Sequence, residues 1–294
     1  MSRVKLVLGP DKPLRIQPRL ISLLAILFLF GFLTRAAAQE GSHFRFVILG
    51  DRTGETEPGV FAETLHEAAA ENPAFLVGVG DLIQGMQDRT AEAEWQEAER
   101  LLDPYRRFLL YLAPGNHDVW SEPSAMLFRK YGGHPLHYSF DYGGAHFTIL
   151  DNSRSDQFSV GELSFLDQDL RDHAGENPKF IVSHRPGWIL NVMAKDPGFP
   201  LHQLAKKYGA KYVIAGHIHA LIRGEVEGVT YLSAPSAGGH LRAGKYNNGS
   251  FFGYTVVDVV GSGVSFRFQE LMPPFGQGRA TKLNDWGPAG LVTP

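Results

Sequence analysis

The sequence predicts an α/β fold, with mixed or parallel sheets and helices outside. Two observations carry this. Apolar, β-rich runs alternate with amphipathic stretches through most of the chain, and beyond about residue 220 only strand-like runs remain. "FRFVILG" opens the alternation as a strand, and "GVFAETLHEAAAEN" follows as a helix with Pro and Gly before it. "AFLVGVGD" is a buried strand, "TAEAEWQEAERLLDPY" an acidic amphipathic helix, and "FLLYLAPGNHD" a strand running into a loop. "SAMLFRKYG" is a short helix. "HYSFDYGGAHFTILD" is a hairpin, because two β-rich runs flank a Gly-Gly turn. "VGELSFLDQDLRDH" and "LHQLAKKYG" are helices, each followed by a strand, "KFIVSHRP" and "KYVIAGHIH". "GVTYLSA", "FFGYTVVDVV" and "VSFRFQE" complete the strands. From residue 273 the chain is rich in Gly and Pro and reads as a tail.

The 294 residues are 44% hydrophobic and 20% charged, an ordinary globular composition, and suffice for one large domain or two small ones. There is no cysteine, so disulfides and thiolate metal sites are excluded. The N-terminus reads as a leader. A basic stretch precedes "LISLLAILFLFGFL" and "TRAAAQ", the pattern of a secretory signal peptide cut after Ala38. Export to a periplasm or the exterior is expected. The apolar run is shorter than the ~20 residues that span a bilayer, which favours cleavage; left uncleaved, residues 20–33 would be an anchor and the only tie to a membrane. The expected organisation is a leader over 1–38, one domain over 39–272 and a tail over 273–294. Removing residues 1–38 takes away six basic side chains and one acidic one, leaving 22 against 30 and a net charge of −8. So acidic a domain is a poor nonspecific nucleic-acid binder. A small anionic substrate is still compatible, because a local metal or arginine reverses the field.

Five strands end on polar residues of metal-binding type: Asp51 in "GDRTG", Asp81 in "GDLIQG", Asn116, His117 and Asp118 in "GNHD", His184 in "SHRP", and His217 and His219 in "GHIH". In α/β sheets the C-terminal ends of strands converge on one crevice. Carboxylate, amide oxygen and imidazole suit transition metals where thiolates are absent. Singly, each piece has a plainer reading. Gly-Asp after a strand is a turn or helix cap, Asn-His-Asp an Asx-turn, and His-x-His a structural pair in a chain with twelve histidines. Their order and shared position at strand ends set the series apart.

The series "GD…GD…GNHD…H…GHIH" resembles the calcineurin-like metallophosphoesterase superfamily over about Phe44 to Glu270. The resemblance implies a single-domain, two-sheet mixed β sandwich flanked by helices. It also implies hydrolysis of a small phosphate ester, monoester or diester, by water activated at a dinuclear site. Two divalent or trivalent ions of Mn, Fe, Zn, Co or Ni are the implied cofactors. Carried over by position, Asp81 bridges both ions. Asn116, His184 and His217 complete one shell, and Asp51 and His219 bind the other ion. His117 contacts phosphate and protonates the leaving group, with Asp118 orienting its ring. The first motif departs from the family's Asp-x-His, because Thr53 stands where imidazole is expected. The purple acid phosphatase branch also lacks that histidine and uses a tyrosine three residues after the bridging aspartate; here Gln84 holds that place. Arg52 and Arg185 flank the candidate ligands, and their donor forks match phosphate oxygens. His240 in "SAPSAGGH" reads as a plain loop histidine, and "QGMQDRTAEAEW", "VWSEPS" and "GWILNVMAKDPGFP" as crevice walls carrying Trp120 and Trp188.

Two other readings stand beside this one. "APSAG" looks like a serine-hydrolase elbow, but that motif needs a helix directly after the serine, and "GHLRAGKYNNGS" is no helix former. A non-catalytic phosphate- or nucleotide-binding protein on a degraded phosphoesterase scaffold would account for the missing histidine.

Overall fold

A computed structural model describes residues 43–242 and 244–287. The leader and the anchor alternative lie outside the described residues. No helix among the described residues is long and apolar enough to cross a membrane.

Among the described residues, twelve strands form two six-stranded sheets. The first sheet has β1 (His43–Leu49), β2 (Phe75–Gly78) and β3 (Leu109–Leu112) in parallel, the product of two helical crossovers. On the other side of β1 lie β10 (Gly253–Val260), β11 (Gly263–Glu270) and β12 (Ala280–Lys282), all antiparallel. The second sheet runs β4 (Tyr138–Tyr142), β5 (Ala145–Ile149), β6 (Lys179–Val182), β7 (Tyr212–Ala215), β9 (Val229–Ser233), β8 (Ile222–Val226). Its four central strands are parallel, and β4 and β8 are antiparallel edges. The expected two-sheet mixed sandwich is what forms.

Strand alternation explains the layers. Phe46 and Ile48 on β1 point between the sheets and meet Phe75, Phe147 and Phe180 in a shared core. Phe46 stacks on Phe75 at 5.2 Å and meets Phe147 edge-on at 5.3 Å. Val47 and Leu49 face the other way, onto α1 (Val60–Ala70), α2 (Asp88–Leu102) and α3 (Glu122–Gly132). The second sheet is covered in the same manner by α4 (Val160–Asp172), α5 (Ile189–Met193) and α6 (Pro200–Tyr208). Helices therefore lie outside both sheets. The C-terminal ends of β1, β2, β3, β5, β6 and β7 share one rim.

Residues 273–287 correct the expected tail. Their Gly and Pro content hides β12 and a one-turn helix that delivers Trp286 into the inter-sheet core, where it is fully buried. The indole N–H is satisfied by the Thr281 hydroxyl at 2.7 Å.

Candidate metal centre

The rim is built by loops that leave the strands under backbone strain. Asp81, His217 and His219 have φ of +57°, +72° and +54°, a region that L-residues with side chains rarely adopt. Such conformations cost of order 1–3 kcal/mol each and concentrate at functional sites. Neighbouring glycines make room. A Cβ on Gly115 would collide with the Asp81 carboxylate, and one on Gly216 would come within 2.7 Å of Asp51 Oδ2.

His184, fully buried after β6, is the hub. Its Nδ1–H donates to the Val79 carbonyl at 2.8 Å, which fixes the ring and aims Nε2 into the crevice. Nε2 lies 3.0 Å from Asn116 Oδ1, 3.2 Å from His217 Nδ1 and 3.3 Å from Asp81 Oδ2. Asp51 is also fully buried and accepts the His217 backbone N–H at 2.8 and 3.0 Å. Its Oδ1 is 3.8 Å from His184 Nδ1 and 3.9 Å from His219 Nε2. All six candidate ligands thus gather at one rim.

Burial disfavours charge here, but the groups compensate one another. For Asp81 burial is outweighed by His184 and His117, so its carboxyl falls to about 2. For His184 burial is outweighed by Asp81 and Asp51, so its imidazole rises to about 9. Burial, with His184 and Arg185 adding to it, lowers His217 to about 4, which leaves it neutral. Burial and Asp81 raise the Asp51 carboxyl. Two buried carboxylates holding a proton on a buried imidazole mark a place that calls for positive charge. With the neutral His217 imidazole, His219 and an amide oxygen beside them, the donor set fits transition-metal ions.

Two sequence expectations are corrected. Asp118 does not touch the His117 ring. It is fully buried, and its oxygens accept the backbone N–H groups of Asp81, Leu82, Ile83 and Gly115 at 2.7–3.2 Å. It therefore fixes the loop that carries Asp81, and burial followed by the Asp81 charge raises its carboxyl to about 6. The group that orients His117 is the Gln84 carbonyl, 2.5 Å from Nδ1. A carbonyl only accepts, so Nδ1 carries the proton and Nε2 is the free nitrogen. Arg52 does not face the crevice. Its guanidinium donates to the Leu82 carbonyl at 2.9 Å and to Glu97 on α2 at 2.7 Å. Arg185 does border the candidate ligands. Its Nη1 is 3.4 Å from His217 Nε2 and 3.1 Å from Asp156.

Thr53 is buried, and its hydroxyl reaches the Asp81 and Ile83 carbonyls at 2.9 and 2.6 Å. It ties the first loop to the second. The Gln84 side chain turns to the Glu55 N–H at 3.2 Å. Ser236 is buried with its hydroxyl on the Gly239 carbonyl at 2.5 Å, and no helix follows it, so a nucleophile elbow is absent.

Sequence reasoning missed two residues. Asn152, after β5, accepts the N–H groups of His184 and Arg185 at 3.0 Å each and donates to the Arg185 carbonyl at 2.7 Å. Its only signal was a polar residue following "TILD". Arg242 lines a cavity of about 390 Å³ with Gly54, Glu55, Gln84, His117 and His240. His240 thus reaches the rim, and its carbonyl accepts from His219 Nδ1 at 2.8 Å.

The family model for calcineurin-like phosphoesterases matches residues 44–221. The chain belongs to the calcineurin-like phosphoesterase family. Purple acid phosphatase 23 of Arabidopsis thaliana is 23% identical over 201 residues, 54% of this chain and 44% of the relative. The purple acid phosphatase PPD1 of yellow lupin (Lupinus luteus) superposes with a TM-score of 0.65 at 15% identity, over 83% of this chain and 54% of that one. GAP50, described as the anchor in the inner membrane complex of Plasmodium, gives 0.58 at 17% identity, over 82% and 88%. A dimetal phosphatase from Danio rerio gives 0.56 at 14%, over 85% and 99%. These structures share the phosphoesterase fold. The chain spans about half the length of the plant phosphatases it matches.

Proposed function

We propose that this calcineurin-like phosphoesterase hydrolyses a small phosphate ester at the rim, holding its metals with Asp51, Asp81, Asn116, His184, His217 and His219. The observation that supports this reading most is the convergence of Oδ1 of Asn116, Nδ1 of His217 and Oδ2 of Asp81 within 3.0–3.3 Å of His184 Nε2. Transition-metal ions held there would supply charge for phosphate oxygens and acidify water. The protein's own groups do the rest. His117, with Nδ1–H held by Gln84, presents Nε2 as the atom that carries a proton to the leaving oxygen. Arg185 and Arg242 supply cationic donors at the mouth. The 390 Å³ cavity beside His117 accommodates the leaving group. We take the leader to export the enzyme.

The test is a panel of phosphate mono- and diesters assayed with added Mn²⁺, Co²⁺ or Zn²⁺, with His117→Ala as control. Metal-dependent turnover that falls in the variant supports the reading. Absence of turnover across the panel favours a non-catalytic role. That second reading draws on Thr53, which binds carbonyls where the family has a metal-binding imidazole, and on GAP50, whose description is that of an anchor.

A further inference from the structure

A second cluster of ligand-type residues lies on the second sheet, away from the rim. It joins the edge strand β4, the start of β5 and the C-terminal end of α4 through Asp141, His146 and His173. His146 lies near the start of β5, whereas the rim loops follow the ends of the parallel strands. Neither the β4–β5 hairpin nor the end of α4 contributes to the phosphoesterase site.

The ring orientations are settled from behind. His146 is fully buried, and its Nε2 meets Asp169 Oδ2 at 2.9 Å. That carboxylate is itself fixed by Ser139 at 2.6 Å on one oxygen and Thr148 at 2.6 Å on the other. The Nε2 proton is therefore committed, and Nδ1 faces Asp141 Oδ1 at 2.7 Å. His173 is arranged likewise. Its Nδ1–H donates to the Asp169 backbone carbonyl at 2.8 Å, which leaves the Nε2 lone pair 3.8 Å from Asp141 Oδ2. One nitrogen of each histidine thus points at the same carboxylate, and the three ligand atoms lie within 4.8 Å of one another. A carboxylate or carbonyl behind each imidazole is the arrangement that orients histidines in metal sites.

We propose that Asp141, His146 and His173 bind one Zn²⁺ that clamps the edge strand β4 to the end of α4. Two imidazoles and a carboxylate give three ligands of the kind zinc takes, and Asp141, about half exposed, leaves the fourth position to water. Binding displaces the proton between His146 Nδ1 and Asp141, so each zinc bound releases a proton. The imidazoles now stack at 4.0 Å and 18°. Meeting at Zn–N distances of ~2.0–2.1 Å requires the His173 ring to tilt out of the stack. His173 is partly exposed, so its ring has solvent on one side into which to tilt about the Nδ1–H bond to Asp169. The site is independent of the phosphoesterase reading.

The test separates this ion from those of the rim. Zinc stoichiometry is measured by equilibrium dialysis and elemental analysis on the wild-type chain and on His173→Ala. The proposal expects one equivalent fewer in His173→Ala, with any phosphoesterase activity unchanged. In parallel, hydrogen–deuterium exchange at the imidazole C2 position is followed histidine by histidine in the wild type, which needs no substitution. Zinc is expected to slow exchange at both His146 and His173. Equal stoichiometry in the two proteins, or exchange at His173 unaffected by saturating zinc, would overturn the proposal and leave an Asp–His–Asp hydrogen-bond relay without metal.

Discussion

The two halves of the candidate centre are built to different standards. Around His184 Nε2, three further donors from three other loops stand within 3.3 Å. In the other half Asp51 Oδ1 and His219 Nε2 lie 3.9 Å apart, and Thr53, at the place of the family's imidazole, turns its hydroxyl to two backbone carbonyls. The difference lies in what the loop residues are asked to hold. In the crowded half, supporting bonds come from residues outside the ligand set, namely Val79, Asn152 and Asp118. In the sparse half, the position that would be a ligand has been given the supporting task. In the proposed two-ion site, one half would therefore have the fuller ligand set and the other would be short by one donor.

Removing the residue proposed to serve both halves has the largest expected effect. Asp81→Asn is predicted to bring activity to background and to lower the metal content of both halves together, as read by elemental analysis alongside an unchanged circular dichroism spectrum. Loss from only one half would mean that Asp81 belongs to that half alone. Next comes His117→Ala, expected to slow hydrolysis of esters with poor leaving groups by ~10²–10⁴-fold and of activated aryl esters less. Equal losses on both in steady-state kinetics would show that His117 positions phosphate instead.

Asn152→Ala is expected to act on the crowded half only, because it removes the acceptor of the His184 and Arg185 N–H groups. Loss of such a supporting partner lowers metal affinity or activity by about 10–100-fold. A matching loss of affinity in the sparse half would erase the distinction. Smallest is Thr53→Val. It leaves the Ile83 carbonyl without its hydroxyl donor, while the Asp81 carbonyl keeps the Arg52 and Thr53 N–H groups, and is predicted to reduce stability by roughly 1–3 kcal/mol in denaturant unfolding. Metal content should not change. A drop in bound metal would make Thr53 a ligand after all.

The contrast also explains what the sequence could disclose. That the candidate ligands meet was legible because short polar motifs directly follow buried strands, and strand direction alone sends them to one rim. Side-chain direction within a loop was not. Asp118 and Arg52 stand beside candidate ligands in sequence, yet they turn to the backbone of the Asp81 loop and to α2. Their destinations depend on how loops from different strands meet, which no local pattern encodes. Asn152 was silent for a related reason, since one asparagine after a strand has no motif around it. The segment after residue 273 was misread because composition outweighed Trp286, whose burial is determined by the sandwich it closes.

The most direct test of unequal halves is a calorimetric titration with Mn²⁺ of metal-stripped protein carrying His173→Ala, so that the second cluster does not contribute. One fewer donor in the Asp51–His219 half should lower its affinity. The account predicts two sequential events, one tight and one distinctly weaker, with Asn152→Ala weakening only the tight one. Two events of equal affinity would contradict it.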